Sequence, residues 1–172
     1  MGVYSTVLGD EILLKSVEGC ARVVVVGCMH CANNSIALAR DIPLKKMAIS
    51  EKTGKPTLAP AAITEEANRI KMVLETRVKE VNVQVAAGLC DPSIDQRAVE
   101  PGWVNLCNLA QAVIALCCAA GVVGLKYRIE KTVRIIPGMK SEGFCCIFTT
   151  FDKARGCVCI DKTKSQIIRM NA

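Results

Sequence analysis

The chain has 172 residues, of which 51% are hydrophobic and only 3% aromatic, and its formal net charge is +6 at pH 7. This length is enough for one hydrophobic core, and the hydrophobic content excludes an intrinsically disordered chain. The whole positive excess lies in residues 126–172, because residues 1–125 hold twelve basic and twelve acidic side chains. We therefore expect one domain spanning residues 1–172, with a basic last third.

The chain contains 11 cysteines, an odd number, and many of them lie within apolar runs. Disulfide frameworks usually stabilise small secreted domains with weak cores, whereas this chain has ample apolar residues for a core. Residues 1–5 lack the basic run followed by an apolar run that begins a signal peptide. These features predict a cytoplasmic protein with reduced thiols, many of which act as small buried apolar side chains.

The N-terminal segments predict strand–helix units. Residues 12–14 fit a short helix or strand, and residues 22–27 are a β-branched run closed by glycine, typical of a central parallel strand. Asn33, Asn34 and Ser35 are N-capping residue types, so a helix is expected to begin near them and to end before Pro43.

The next segments extend this pattern to residue 102. Residues 46–50 predict a short strand, and residues 51–60 predict a loop because they contain one glycine and two prolines. Apolar residues at helical spacing predict a helix over residues 63–78. Residues 81–85 alternate apolar and polar side chains, which indicates a strand, and residues 89–102 predict a loop.

The stretch from Trp103 to Leu125 is long and apolar enough to resemble a membrane span. Three amide side chains recur along one side of it (Asn105, Asn108 and Gln111), and amides are costly in lipid. We therefore predict one long helix buried in the domain and no membrane partner. The amides are expected to bind neighbouring backbone groups, and Asn105 is also a candidate for lining a ligand pocket.

The last third predicts short antiparallel strands separated by glycine and aspartate turns. They cover residues 123–129, 132–136, 144–151, 157–161 and 166–170. The predicted fold class is therefore α/β: a mixed sheet with parallel N-terminal βα units, an antiparallel C-terminal part and helices packed on the sheet.

Lys126 and Arg128 are expected to share one face of a strand, which suggests a basic surface. We expect this surface to be solvated, and an anionic ligand is the next most favoured partner. Nucleic acid is disfavoured as a partner because single-strand binders add stacking aromatic residues, and the few aromatic residues nearby alternate like core positions.

The candidate functional site is the turn after the first strong strand, where Cys28, His30 and Cys31 form a C-x-x-C motif around the only histidine. Ligands of open α/β sheets lie at the carboxyl ends of the strands. A helix N-terminus there binds anions and lowers the pKa of a thiol. If the protein is an enzyme, we expect Cys28 to be the nucleophile, Cys31 to resolve it and His30 to tune or transfer protons.

The C-x-x-C between strand and helix resembles the thioredoxin-like active site, and the segment beginning at Pro56 resembles the proline segment that faces such a site. The resemblance implies thiol–disulfide chemistry. The chain departs from that pattern because the 24 residues between Cys31 and Pro56 are too few for the strand and helix that the fold places there.

A second hypothesis is a four-thiolate zinc or iron–sulfur site that joins Cys28 and Cys31 to Cys157 and Cys159, or to Cys90. In a strand, side chains at i and i+2 share a face, so Cys157 and Cys159 could point at one ion. Such a protein would bind metal or sense redox state without turnover.

The leading functional hypothesis is a cytosolic protein that binds a small, anionic or phosphorylated ligand at residues 27–35, with cysteine chemistry as an option. Its ligand-binding candidates are Gly27, Asn33, Asn34, Ser35, Asp91 and Asn105. The sequence lacks the common motifs of nucleotide-binding proteins, hydrolases and zinc proteases. The cofactor therefore stays unknown at this point. Two alternatives stay open: Cys28 and Cys31 only pack in the core, or the apolar helix and cysteine-rich strands form a homo-oligomer interface.

Overall fold

The computed structural model describes residues 1–50, 53–91 and 101–170 of the chain. The helices are α1 (Asp10–Ser16), α2 (Cys31–Arg40), α3 (Ala62–Leu74), α4 (Pro101–Asn108) and α5 (Ala119–Arg128). The strands are β1 (Gly2–Val7), β2 (Arg22–Cys28), β3 (Lys45–Ile49), β4 (Pro56–Pro60), β5 (Glu80–Ala86), β6 (Ala112–Leu116), β7 (Arg134–Pro137), β8 (Met139–Cys146), β9 (Thr149–Asp152), β10 (Cys157–Ile160) and β11 (Gln166–Arg169).

A four-stranded parallel sheet has the order β5-β2-β6-β7. Its central strands are continuous apolar runs because both faces of a parallel sheet are covered. All five residues of β6 are buried, as are the four consecutive valines of β2. The α/β class and its parallel N-terminal βα units are therefore confirmed.

The order of strands in this sheet reverses at β2. The chain passes from β2 to β5 on one side and then returns past β2 to β6 and β7 on the other. The crevice outside the carboxyl ends of strands at such a reversal is the usual ligand position in open α/β sheets. In this chain it lies beyond the ends of β2 and β6.

Two antiparallel sheets complete the fold. One has the order β1-β8-β11 and the other the order β4-β3-β10-β9. The predicted antiparallel C-terminal part is thus confirmed for β8 to β11, while β7 belongs to the parallel sheet because it runs alongside β6. The prediction of an antiparallel strand at residues 132–136 was wrong in its direction, and the predicted strand at residues 144–151 divides between β8 and β9.

A network of ion pairs around one buried carboxylate joins the helices α1, α2 and α3. Glu66 of α3 is fully buried and pairs with Arg40 of α2 and with Arg69 one turn further along α3. Arg69 also binds both carboxylate oxygens of Asp10 at 2.8 and 2.9 Å, and this hydrogen bonding holds the pKa of Asp10 below its usual range. A buried carboxylate needs such partners, so this network fixes how the three helices pack.

The predicted long helix from Trp103 to Leu125 was wrong. The structure divides this stretch into α4, the buried strand β6 and α5. The cause is that a short apolar run buried on both faces has the same sequence pattern in a strand as in a helix. The homo-oligomer hypothesis therefore loses the apolar helix, which was one of its two supports beside the cysteine-rich strands.

Other boundaries also differ from the predictions. Residues 56–60 form β4 because their backbone pairs with β3 from Ile49 to Lys45, so the predicted loop at 51–60 was wrong in its second half. Lys126 and Arg128 lie in α5 and not in a strand, so they do not share a strand face. The helix α3 ends at Leu74, four residues before the predicted end. Most of the predicted loop at 89–102 lies outside the described residues.

In the described part of the chain, no helix combines the length and apolar character needed to traverse a lipid bilayer.

Gly27, near the end of β2, lies directly against Ile63 of α3. A Cβ atom added there would lie 2.6 Å from Cγ1 of Ile63, which is itself fully buried in the core. We predict that Gly27→Ala lowers the free energy of unfolding by about 1–3 kcal/mol, the usual cost of overpacking a core. Urea unfolding followed by circular dichroism measures this change.

Gly102→Ala is the matched control, because an added Cβ on Gly102 in α4 meets no atom within 4 Å. The control is expected to keep or slightly raise stability, since alanine favours helix. Equal stability of Gly27→Ala and the wild-type protein would contradict the tight approach of α3 to the sheet.

Candidate thiol site

Four cysteines gather at the carboxyl ends of β2 and β6. Cys28 is the last residue of β2, Cys31 begins α2, and Cys117 and Cys118 lie between β6 and α5. The parallel register pairs Gly27 with Leu116, so the residues that follow each strand lie side by side. The order reversal of the sheet therefore coincides with a cluster of thiols, which we call the switch-point cluster (Cys28, Cys31, Cys117 and Cys118).

A chain of hydrogen bonds through three serines joins the first turns of α2 and α5. The backbone N–H of Ala119 donates to Ser141 Oγ at 3.3 Å, and Ser141 Oγ lies 3.3 Å from Ser5 Oγ. The backbone N–H of Ser5 donates to Ser35 Oγ at 3.1 Å, and Ser35 Oγ donates to the carbonyl of Cys31 at 2.8 Å. The strands β1 and β8 thus hold the two helix N-termini together.

Cys145 of β8 adds a fifth thiol beside Cys31. A Cβ atom placed on Gly2 would lie 3.3 Å from Cys31 Sγ and 3.9 Å from Cys145 Sγ. Gly2 and Cys145 are also paired across β1 and β8. Burial raises the pKa of Cys145, which is therefore a neutral thiol next to the cluster.

Cys118 is the acidic thiol of the cluster. A hydrogen bond from the Cys31 thiol lowers the pKa of Cys118 to about 7, against the opposing effect of burial, and the backbone amide of Gly121 lowers it further. Cys118 is the N-cap residue of the ten-residue helix α5, where the positive end of the helix dipole favours a thiolate. At neutral pH a large fraction of Cys118 is therefore thiolate.

Cys31 has the complementary role. Its hydrogen bond to Cys118 and its burial raise the pKa of Cys31 far above the ordinary range. Cys31 thus keeps its proton and donates it toward Cys118. The two residues form a pair of one thiolate and one thiol, 87 positions apart in the sequence.

Cys28 and His30 do not have the environment that the sequence predicted for them. Burial raises the pKa of Cys28, which is 3% exposed, so this thiol is a poor source of thiolate. His30 is exposed and is the N-cap residue of α2, where its carbonyl accepts the Asn34 N–H at 3.0 Å. The C-x-x-C motif therefore contributes Cys31 to the thiol pair, while Cys118, and not Cys28, is the thiol whose pKa is lowered.

The predicted helix start at Asn33 to Ser35 is two residues late, and these side chains serve packing. Asn33 is fully buried; its Nδ2 donates to the Leu44 carbonyl and its Oδ1 accepts the Ile63 N–H, each at 2.9 Å. It thereby joins α2 to the start of α3. Asn34 is half-buried in α2, whereas Ser35 belongs to the serine chain described above.

The other predicted ligand residues lie apart from one another. Gly27 is covered by Ile63 of α3, and Asn105 is an exposed residue of α4. Asp91 follows β5, where its carbonyl accepts a hydrogen bond from Arg128 of α5 at 2.6 Å. Of the sequence-based candidates, Cys31 is hydrogen-bonded to Cys118, and Ser35 is linked to this pair through its hydrogen bond to the carbonyl of Cys31.

The neighbouring amides bind backbone groups, as predicted for Asn108 and Gln111. The side chain of Gln111 accepts hydrogen bonds from the backbone N–H groups of Ala21 and Arg22 at the start of β2. Asn108 Oδ1 accepts the Glu130 N–H at 3.0 Å.

The predicted four-thiolate metal site is not assembled. Cys157 and Cys159 share one face of β10, with their sulfur atoms 3.6 Å apart, as the strand pattern indicated. However, no three His, Cys, Asp or Glu side chains of the described residues are arranged to hold one metal ion. The described structure therefore does not bring Cys28 and Cys31 together with Cys157 and Cys159 around one ion.

The resemblance to a thioredoxin-like site does not extend to the proline segment. Pro56 begins β4 and pairs with Ile49 of β3 in an antiparallel hairpin. The peptide bonds of the described residues are all trans.

No protein-family model, curated protein or solved structure matches this chain. The arrangement of its thiols is therefore the basis for any functional conclusion.

Sequence reasoning missed Cys118 because the long-helix prediction hid it. Residues 112–119 repeat the pattern of residues 23–31: a buried apolar strand, then cysteines, then a helix. Had this run been divided into strand and helix, both cysteine-bearing turns would have been placed at one edge of the sheet.

We predict that alkylation of Cys118 rises with pH and reaches half of its maximal rate near pH 7, the pH at which half of this thiol is ionised. Replacing Cys31 by alanine removes the hydrogen bond that lowers the pKa of Cys118, so the midpoint should move upward toward the ordinary thiol range. Peptide mass spectrometry after iodoacetamide pulses at a series of pH values measures both midpoints.

Cys146→Ala is the control, since Cys146 is exposed on β8. Its Cys118 profile should match that of the wild-type protein. An identical midpoint in Cys31→Ala and the wild-type protein would contradict the thiol pair.

Proposed function

We propose that this chain is a redox-responsive dithiol protein in which small hydroperoxides oxidise the pair Cys118 and Cys31. The observation that carries the proposal is that Cys118, a thiol of lowered pKa at a helix N-terminus, is hydrogen-bonded to the Cys31 thiol at the switch point of the sheet. Reactive redox-sensing thiols combine a low pKa with a resolving cysteine nearby.

The reaction has two steps. The Cys118 thiolate attacks one oxygen of the hydroperoxide, the O–O bond breaks, and the leaving oxygen takes a proton and departs as water or an alcohol. Cys118 is then a sulfenic acid. The Cys31 sulfur attacks the Cys118 sulfur, and the hydroxyl leaves as water with the Cys31 proton. One disulfide has formed, two thiols have been oxidised and one peroxide has been reduced.

Access favours a small oxidant. Cys118 is only 4% exposed, whereas Cys31 is half-buried, so a peroxide can reach Cys118 more readily than a bulky disulfide can. The acidic thiol is then oxidised first, and Cys31 is already in contact with it.

The resting state is the dithiol, which is restored by a low-molecular-weight thiol. Two such thiols reduce the disulfide by exchange and leave as one small disulfide. The proposed setting is the cytoplasm, where small thiols keep cysteines reduced. The response is stoichiometric, with one oxidant consumed per chain, and does not require turnover.

We predict that one equivalent of hydrogen peroxide removes two free thiols per chain and that Cys118→Ala abolishes this rapid loss. In Cys31→Ala, Cys118 has lost its resolving partner, so the reaction should stop at a sulfenic acid that a dimedone-type reagent labels. Thiol counting against time and mass spectrometry of the labelled peptide measure these outcomes.

Cys146→Ala should lose two thiols at the wild-type rate, because this exposed cysteine is not part of the pair. Rapid loss of two thiols that persists in Cys118→Ala would overturn the proposal.

A second candidate is the binding of a small anionic ligand at the same edge of the sheet. It is favoured by the convergence of two helix N-termini, those of α2 and α5, at the strand-order reversal. Inorganic phosphate should then slow alkylation of Cys118 more than chloride does at equal ionic strength. Equal rates in the two salts would reject this candidate and leave the dithiol proposal intact.

A further inference from the structure

A second pair of thiols lies on β10, away from the switch-point cluster. The strand β10 is an inner strand of its sheet, paired with β3 on one side and with β9 on the other. Cys157 and Cys159 are two residues apart and therefore project from the same face of this strand. Cys157 pairs with β3 and β9, and Cys159 pairs with β9, so the sheet holds the backbone that carries both side chains.

The distance between the two sulfur atoms fits joint binding of one ion. With the Sγ atoms 3.6 Å apart and bonds of about 2.3 Å from zinc to sulfur, the S–Zn–S angle is roughly 100°, close to tetrahedral. A linear two-thiolate centre would require a longer separation. The geometry therefore suits a tetrahedral ion more than one that prefers two ligands in line.

The two thiols differ in exposure in a way that permits entry of an ion. Cys157 is 1% exposed, whereas Cys159 is half-buried and reaches the surface. Burial and the contact with Cys157 raise the pKa of Cys159, and the nearby Asp152 also raises it while Arg155 lowers it. Both cysteines are free thiols, so no disulfide blocks the pair.

We propose that Cys157 and Cys159 together bind one thiophilic divalent cation of the zinc class, with its remaining positions open to water or to an external ligand. Thiolates are soft ligands and select such ions over magnesium or calcium. Two protons leave the thiols for solvent and two metal–sulfur bonds form, with no change of oxidation state. The proposal does not rest on the redox function proposed for Cys118 and Cys31.

The test is a titration of the full-length, reduced protein with Cd²⁺, whose thiolate complexes absorb in the ultraviolet. Cys159→Ser removes one of the two sulfur ligands at a half-buried position, so its affinity for the first equivalent should fall at least tenfold. Cys146→Ser is the matched control on an exposed cysteine of β8 and should bind as the wild-type protein does. The double variant Cys31→Ala/Cys118→Ala should also retain the first equivalent.

Unchanged affinity in Cys159→Ser, or loss of the first equivalent only in Cys31→Ala/Cys118→Ala, would overturn the proposal. A second measurement applies if Cys159→Ser does not fold. In the wild-type protein, one equivalent of Zn²⁺ should slow the alkylation of Cys159 at least tenfold and leave that of Cys146 unchanged. Equal alkylation of Cys159 with and without Zn²⁺ would exclude the site.

Discussion

The parallel pairing of β2 with β6 is the constraint on which the rest of the structure depends. Both strands are buried along their length, and their register places the residues that follow them at one edge of the sheet. Because the strand order reverses between them, the helices that follow begin at the same crevice. The nearness of Cys31 to Cys118 and the position of each at a helix N-terminus follow from this arrangement, while Ser5 of β1 and Ser141 of β8 link the two helix N-termini.

The chemistry of the pair follows from one hydrogen bond between two sulfur atoms in a site of limited solvent access. Cys31 donates to Cys118, so the pKa of Cys118 falls to about 7 while that of Cys31 rises. The helix N-terminus at Cys118 then stabilises the negative charge on that side. The buried cysteines around the pair, such as Cys28 and Cys117, have raised pKa values because burial disfavours their thiolate forms and no comparable interaction stabilises those thiolates. The position of Cys118, more than the number of cysteines, therefore accounts for its lowered pKa.

The sequence predicted the elements whose signal is local. The valine run of β2, the helix α3 and the last two strands, β10 and β11, follow from periodicity and turn residues, and their bounds agree to within a few residues. The stretch from residue 103 to 125 could not be divided in the same way, because β6 is apolar on both faces. The spacing of its apolar residues therefore does not distinguish a strand from a helix. That one ambiguity also concealed the partner of Cys31. The C-x-x-C motif drew attention to the turn that carries Cys31, but Cys118 comes from a segment 87 residues away, which only the strand order brings near.

The most direct test of the central claim is to map the disulfide that forms first when the reduced chain is treated with one equivalent of hydrogen peroxide. Rapid acid quenching, alkylation and non-reducing peptide mass spectrometry identify the linked cysteines. We predict a peptide that joins Cys31 to Cys118, in at least tenfold excess over any other linkage. A dominant link between Cys28 and Cys31 would contradict the account, because the reactive pair would then be the sequence motif and not the two thiols joined by the parallel sheet.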